Sequence, residues 1–214
     1  MRTARLLVVM CSALGLLACA APTTQRFTLR TADAPPASTA SAVNAISKVN
    51  AGAARVMTVD VRAPDSLDRS NWIVRGEGPA VTTFQQVRWP QSLPIEVADA
   101  LAQRLDRALQ PEITVVSAPV AGPGPRVEVR VVSFDMWLTP TPRVFDEFLW
   151  EIQCPGAAGA PRSVVTGRTR YQGNAGQGAA PPFGALAAEH AKAVDQLAED
   201  VLTQWRKSSA NSGC

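Results

Sequence analysis

Histidine, lysine and tyrosine are scarce in this chain: His190 is the one imidazole, and 214 residues hold three lysines and one tyrosine. Each shortage removes a class of function. A lone histidine leaves little room for imidazole-based acid–base or nucleophilic catalysis, and His190 lies inside an apolar helical stripe, where a packed core histidine is the favoured reading. The four cysteines (Cys11, Cys19, Cys154, Cys214) are far apart, and no C-x-x-C or H-x-x-x-H spacing occurs, so no metal site and no cofactor are expected. The chain has no G-x-S-x-G elbow, no G-x-x-x-x-G-K-S loop and no H-E-x-x-H pair. The glycines from Gly173 to Gly178 have no Lys/Ser partner to hold a phosphate. Asp65, Asp68 and Asp135 could be acids for hydrolysis only at a separation the sequence does not place, and Asp65 and Asp68 suit the start of a local turn. No Lys/Arg cluster of about five to eight residues exists, which argues against a nucleic-acid partner.

What the chain does carry begins at its N-terminus. Arg2 and Arg5 precede an apolar run, Leu6 to Ala18, that is too short to span a ~30 Å bilayer. The run ends in Leu16-Leu17-Ala18-Cys19, the pattern of a lipobox. Residues 1–18 therefore read as a lipoprotein signal peptide, with Cys19 as the lipidation site. Removing it takes away two arginines, leaving 19 Lys plus Arg against 18 Asp plus Glu in about 195 residues. That is enough chain for one domain with a real core. Residues 19–52 are rich in Ala, Ser, Thr and Pro and read as a flexible tether, with a root-mean-square span of roughly 30 Å and a stretched length of roughly 100 Å. Phe27-Thr28-Leu29 interrupts it as a short extended segment suited to docking on the fold.

From Arg55 the apolar period becomes two, predicting a strand. Asn71–Arg75 and 80–87 read as a hairpin around Gly76-Glu77-Gly78-Pro79. After Ser92 and Pro94, the residues Ile95, Ala98, Leu101, Ala102, Leu105 and Leu109 recur at helical spacing. Strands follow at 113–116, 127–137, 144–153 and 162–172. The stripe Phe183, Leu186, Ala187, His190, Val194, Leu197, Ala198, Val201 and Trp205 predicts a long amphipathic helix. The order implies an α+β domain over 53–207: an antiparallel or mixed sheet of about seven strands, two helices on one face, and a C-terminal tail at 208–214. Cys154, at a strand end, and Cys214, in the tail, are candidates for a disulfide; two free thiols or a bridge between subunits remain the alternatives.

The motif Pro64-Asp65-Ser66-Leu67-Asp68-Arg69, a hydrophobic strand, then Arg88-Trp89-Pro90 and a leucine-bearing helix resembles the ABC-type transport auxiliary lipoprotein family (PqiC-like). Leu67, Asp68, Arg69, Arg88 and Trp89 match its pattern, while Ser66 stands in place of a tyrosine and Pro90 in place of an alanine. Phe27-Thr28-Leu29 is similar to the segment that follows the lipidated cysteine in that family. The resemblance implies a non-enzymatic, outer-membrane, periplasm-facing lipoprotein. Its partners would be an MCE-domain periplasmic protein and an inner-membrane transporter, in lipid transport, and it leaves a homo-oligomer open. A structural lipoprotein binding peptidoglycan or an assembly complex is the alternative, and a periplasmic hydrolase the rival from another class. Arg69 and Trp89 are expected at a contact surface, against a purely structural role in which Trp89 plugs the core and Arg69 pairs with Asp65 or Asp68.

Overall fold

Strand β6 (Arg126–Trp137) is the hub of the sheet in this computed structural model, which describes residues 23–31, 55–76, 78–117, 124–155, 163–176 and 182–212. Along one edge β6 pairs antiparallel with β7 (Arg143–Cys154), which pairs with β8 (Ser163–Asn174). Its other edge is divided. The first half pairs parallel with β2 (Arg55–Arg62), itself flanked by β5 (Ile113–Val116), and the last residue, Trp137, meets Arg75 of β3 (Asn71–Arg75). Beyond β3 lie β4 (Val81–Arg88), antiparallel, and β1 (Gln25–Arg26), parallel to β4. The sheet is mixed and eight-stranded, and the helices α1 (Leu93–Leu109) and α2 (Phe183–Ser212) cover one face. The α+β architecture expected from the sequence is the one observed, with β1 as the additional strand.

Alternation builds the core. On β7, Val144, Phe148, Trp150 and Ile152 point to the helices and are buried, matched by Val127, Val129 and Val131 on β6 and by Met57, Val59 and Val61 on β2. Every residue of the predicted α2 stripe is buried. Trp150 lies flat over its β8 neighbour Gly167, where an added Cβ would come within 2.1 Å of the indole, and its Nε1 donates to Thr169 Oγ1 at 3.1 Å. Glycine at 167 is thus a packing requirement.

Two expectations are corrected here. In α1 the predicted Ala98, Leu101, Ala102 and Leu105 are buried, but Ile95 is 48% exposed, and Glu96 beside it is completely buried. Helix α2 also runs on to Ser212, through most of the stretch expected to be a tail.

The larger correction concerns the tether. Residues 25–31 form an ordered strap. Phe27 N–H donates to the Arg88 carbonyl at 3.1 Å, and Leu29 is wholly buried. The Glu96 carboxylate accepts from Thr28 Oγ1 and, at 2.9 Å, from Leu29 N–H. Arg104 Nη1 donates to the Leu29 carbonyl at 3.1 Å, Gln103 Oε1 accepts from Thr31 N–H at 3.2 Å, and Arg107 Nη2 donates to Thr31 Oγ1 at 3.0 Å. The docking suggested by Phe27-Thr28-Leu29 is realised, but it takes seven residues out of the presumed tether. Signal residues 1–18, Cys19 and residues 32–54 lie outside the described residues.

Glu96→Ala leaves the Thr28 and Leu29 donors without their acceptor. Leaving a buried donor unsatisfied typically costs ~1–3 kcal/mol, roughly five- to a hundredfold in an opening equilibrium. Trypsin cleavage after Arg26 and Arg30 should therefore accelerate strongly in Glu96→Ala and much less in Glu96→Gln, which keeps an acceptor oxygen. Equal cleavage rates in the wild type and Glu96→Ala would show that the strap is held by something else.

Candidate functional site

The motif residues converge where the strap, the β2–β3 connection and the start of α1 meet. Pro64 carbonyl accepts from Leu67 N–H (2.7 Å) and Asp68 N–H (3.0 Å), closing a tight turn. The turn is stitched to the next element on both sides: Trp89 N–H donates to the Ser70 carbonyl at 2.8 Å, and Leu93 N–H to the Arg69 carbonyl at 3.1 Å. Leu67 is half-buried against the core, while the Asp68 and Arg69 side chains are exposed. Arg88 Nε donates to the Gln85 carbonyl at 2.9 Å. Leu67, Arg69, Asn71, Ile73, Trp89 and Leu93 border a cleft of about 10 Å³, space for at most one water.

Trp89 does not lie at a surface. It is 3% exposed and packs 4.6 Å from Trp72, with edge contacts to Phe134 (6.0 Å) and His190 (6.1 Å). Phe27 of the strap and Phe183 of α2 complete the cluster around Trp72 at 5.3 and 5.8 Å. Strap, motif and final helix therefore share one aromatic core. The flanking Arg88 and Pro90 made residue 89 look like a loop position, but its ring turns inward. Arg69 stays exposed and forms no ion pair with Asp65 or Asp68 among the described residues. Of the two residues expected at a contact surface, the structure leaves only Arg69 accessible.

His190 stacks on Phe134 at 4.0 Å, and its Nδ1 lies 2.9 Å from both oxygens of Asp146, with both side chains fully buried. No hydroxyl or thiol meets its Nε2 among the described residues. The His–Asp pair, sealed behind aromatic rings, ties α2 to β7. Asp146 itself was missed in the sequence, although a signal was present: it shares the alternation of Val144, Phe148 and Trp150, which places a carboxylate on the buried face of β7. Asp135 of the expected carboxylates pairs with Arg75 at 2.7 Å. Among the described residues no group of three or more His, Cys, Asp or Glu side chains could hold a metal ion. Cys154 is 2% exposed and disulfide-bonded, and Cys214 lies outside the described residues.

The face of the sheet away from the helices is open. Cross-strand register sets Asp60, Glu128, Glu151 and Thr166 in one row, and Arg62, Arg130, Leu149 and Arg168 in the next. These rows line a shallow groove of about 600 Å³. Like charges directly opposite are unfavourable in a sheet, and ion pairs along the strands, such as Arg62–Asp60 at 3.3 Å and Arg126–Glu128 at 3.5 Å, offset part of that cost. The groove was not legible in the sequence, because β2–β6 register joins segments more than sixty residues apart.

Burial raises the pKa of Asp146 above its ordinary value, with the attraction and hydrogen bond of His190 opposing the shift. A carboxyl whose folded pKa is raised contributes stability that is present below its unfolded pKa and lost as the pH rises through the folded value. Relative to Asp146→Asn, the wild type should lose stability as pH rises from about 3.8. Denaturant melts of both proteins across pH check this, and a pH-independent difference would contradict it.

The comparisons with known proteins agree with this geometry. None of the curated proteins matches the chain. Among solved structures, protein XCC0632 of Xanthomonas campestris, assigned to DUF330, superposes with a TM-score of 0.56 at 12% identity, covering 89% of this chain and 98% of its own. A crystal structure of an uncharacterized protein gives 0.54 at 17% identity, covering 69% and 92%. At such identities the similarity is one of fold. The sequence match is more specific, since a family model described as "ABC-type transport auxiliary lipoprotein component" covers residues 27–202, from the strap's Phe27 to Leu202 of the last helix. This chain belongs to the ABC-type transport auxiliary lipoprotein component family.

Proposed function

We propose that this protein is a non-enzymatic auxiliary lipoprotein of an envelope lipid transporter, anchored through Cys19 to the outer membrane and facing the periplasm. The observation that carries the reading is the family match over 27–202, which begins inside the strap, eight residues after the lipobox cysteine. Ala20 after the cysteine, in place of aspartate, favours release to the outer membrane under enteric-type sorting. Two acyl chains anchor stably where one is marginal, at ~0.8 kcal/mol per buried methylene. The site supports a binding role, because the one histidine is sealed in the core while charged side chains occupy the accessible surface.

The partner in this reading is an MCE-domain periplasmic protein together with its inner-membrane ABC transporter. Asp68 and Arg69 offer a charged contact on a loop stitched to rigid elements, where binding residues concentrate. A bridge from Cys154 to Cys214 would tie the end of β7 to the chain beyond α2. It would close a loop of about 60 residues, worth up to roughly 4 kcal/mol in the chain-entropy model.

Two measurements test the proposal. Labelling with a palmitate analogue should mark the wild type and not Cys19→Ser; unlabelled mature protein in the soluble periplasm contradicts the anchor. Affinity purification from detergent-solubilised envelope should recover an MCE-domain protein with the wild type. Arg69→Ala should recover less of it at an unchanged melting midpoint. Recovery of muropeptides or an assembly complex instead would favour a structural envelope lipoprotein.

A further inference from the structure

The ordered strap fixes which end of the domain lies close to the anchor. Cys19 is four residues before Thr23, the first described residue, and a chain covers at most ~3.6 Å per residue, so the two lie within roughly 14 Å of each other. Because β1 runs parallel to β4 with Gln25 opposite Val87, the chain enters β1 from the side of Val81, where β4 begins. Cys19 is six residues from Gln25, and Val81 is six residues from Val87. A lead-in of this length can therefore reach the level of Val81.

Register assembles one row at that level across five strands: Val81, Arg75, Trp137, Arg143 and Asn174. The opposite end of β6, Arg126, is eleven residues away, about 36 Å, beyond the reach of so short a lead-in. The chemistry of the near end suits a bilayer surface. Val81 is 54% exposed, and Trp137 and Leu138 are half-buried at the edge. The Arg143 guanidinium sits 4.9 Å from the centre of the Trp137 ring and forms no ion pair among the described residues, leaving it able to meet a lipid phosphate. The turn between β6 and β7, Leu138-Thr139-Pro140-Thr141-Pro142, carries no charge, and Glu77 is the one charged residue in the turn between β3 and β4. Tryptophan beside arginine and aliphatic side chains is the composition of membrane interfaces.

We propose that this end of the sheet rests in the headgroup layer of the membrane that holds Cys19, with Trp137, Leu138 and Val81 at the acyl boundary and Arg143 on lipid phosphate. The inference builds on the Cys19 anchor and adds the orientation of the domain.

The protein carries its own probe. Trp72, Trp89, Trp150 and Trp205 are each at most 5% exposed, so a quencher confined to lipid reads Trp137. The full-length lipidated protein is reconstituted into phosphatidylethanolamine/phosphatidylglycerol vesicles, with or without acyl chains brominated near the headgroup, and its flotation and fluorescence are measured. Brominated lipid should lower the emission of the wild type, and this loss should vanish in Trp137→Phe while flotation stays complete. Protein that floats without quenching overturns the orientation alone, as does equal quenching in Trp137→Phe. Protein that fails to float overturns the anchor and the orientation with it.

Discussion

A carboxylate and a guanidinium on α1, Glu96 and Arg104, are the interaction on which the arrangement of this molecule depends. Glu96 has no exposed surface, and both of its strap bonds fall on a single oxygen, Oε1. Arg104, two turns along the same helix, joins three segments: Leu29 of the strap, Ala100 of its own helix at 2.9 Å, and Ala191 of α2 at 3.2 Å, with Asp195 of α2 as its ion partner. Side chains buried in this way are stable only when hydrogen-bonded, and here many of the partners are backbone groups that an extended strap would otherwise leave unsatisfied. Two helices and the strap are thereby fixed to one another. The aromatic cluster of Phe27, Trp72, Trp89 and Phe183 then packs against a strap that is already held.

Much of this was legible in the sequence, and the exceptions have physical causes. The period-two runs of β2, β6 and β7 and the stripe of α2 announce their buried faces because burial demands periodicity. Helix α1 misled by one position: Ile95 is a surface residue, and the buried place beside it belongs to a charge whose partner lies 67 residues away in the strap. A carboxylate at a core position is uninterpretable until its donors are known. Asp146 presents the same case on β7, with a histidine 44 residues distant as its partner. Trp89 reads as a surface residue from its neighbours, yet its backbone is pinned to Ser70 and its ring turns into the core. The charged rows of the open face arise from parallel pairing of distant strands, which no local pattern encodes.

The strap also changes what the proposed Cys19 anchor would mean mechanically. A tether of thirty flexible residues would let a domain sample a volume tens of ångströms wide, whereas a strap clamped to the fold from Gln25 leaves only a few residues between a lipidated Cys19 and the domain. Under the proposed anchor and orientation, the open sheet face and the Arg69 loop would keep constant directions relative to the bilayer, and a docking partner would meet them without an orientational search.

The strap is part of the folded domain, and the amide of Leu29 reports on this most directly. That N–H donates to a buried carboxylate. In hydrogen exchange on the full-length protein it should be protected to a degree comparable with the amides of the middle of α1, and in Glu96→Ala it should exchange far faster while the β6–β7 amides stay protected. Exchange of the Leu29 amide at the rate of an unstructured peptide in the wild type would contradict the account.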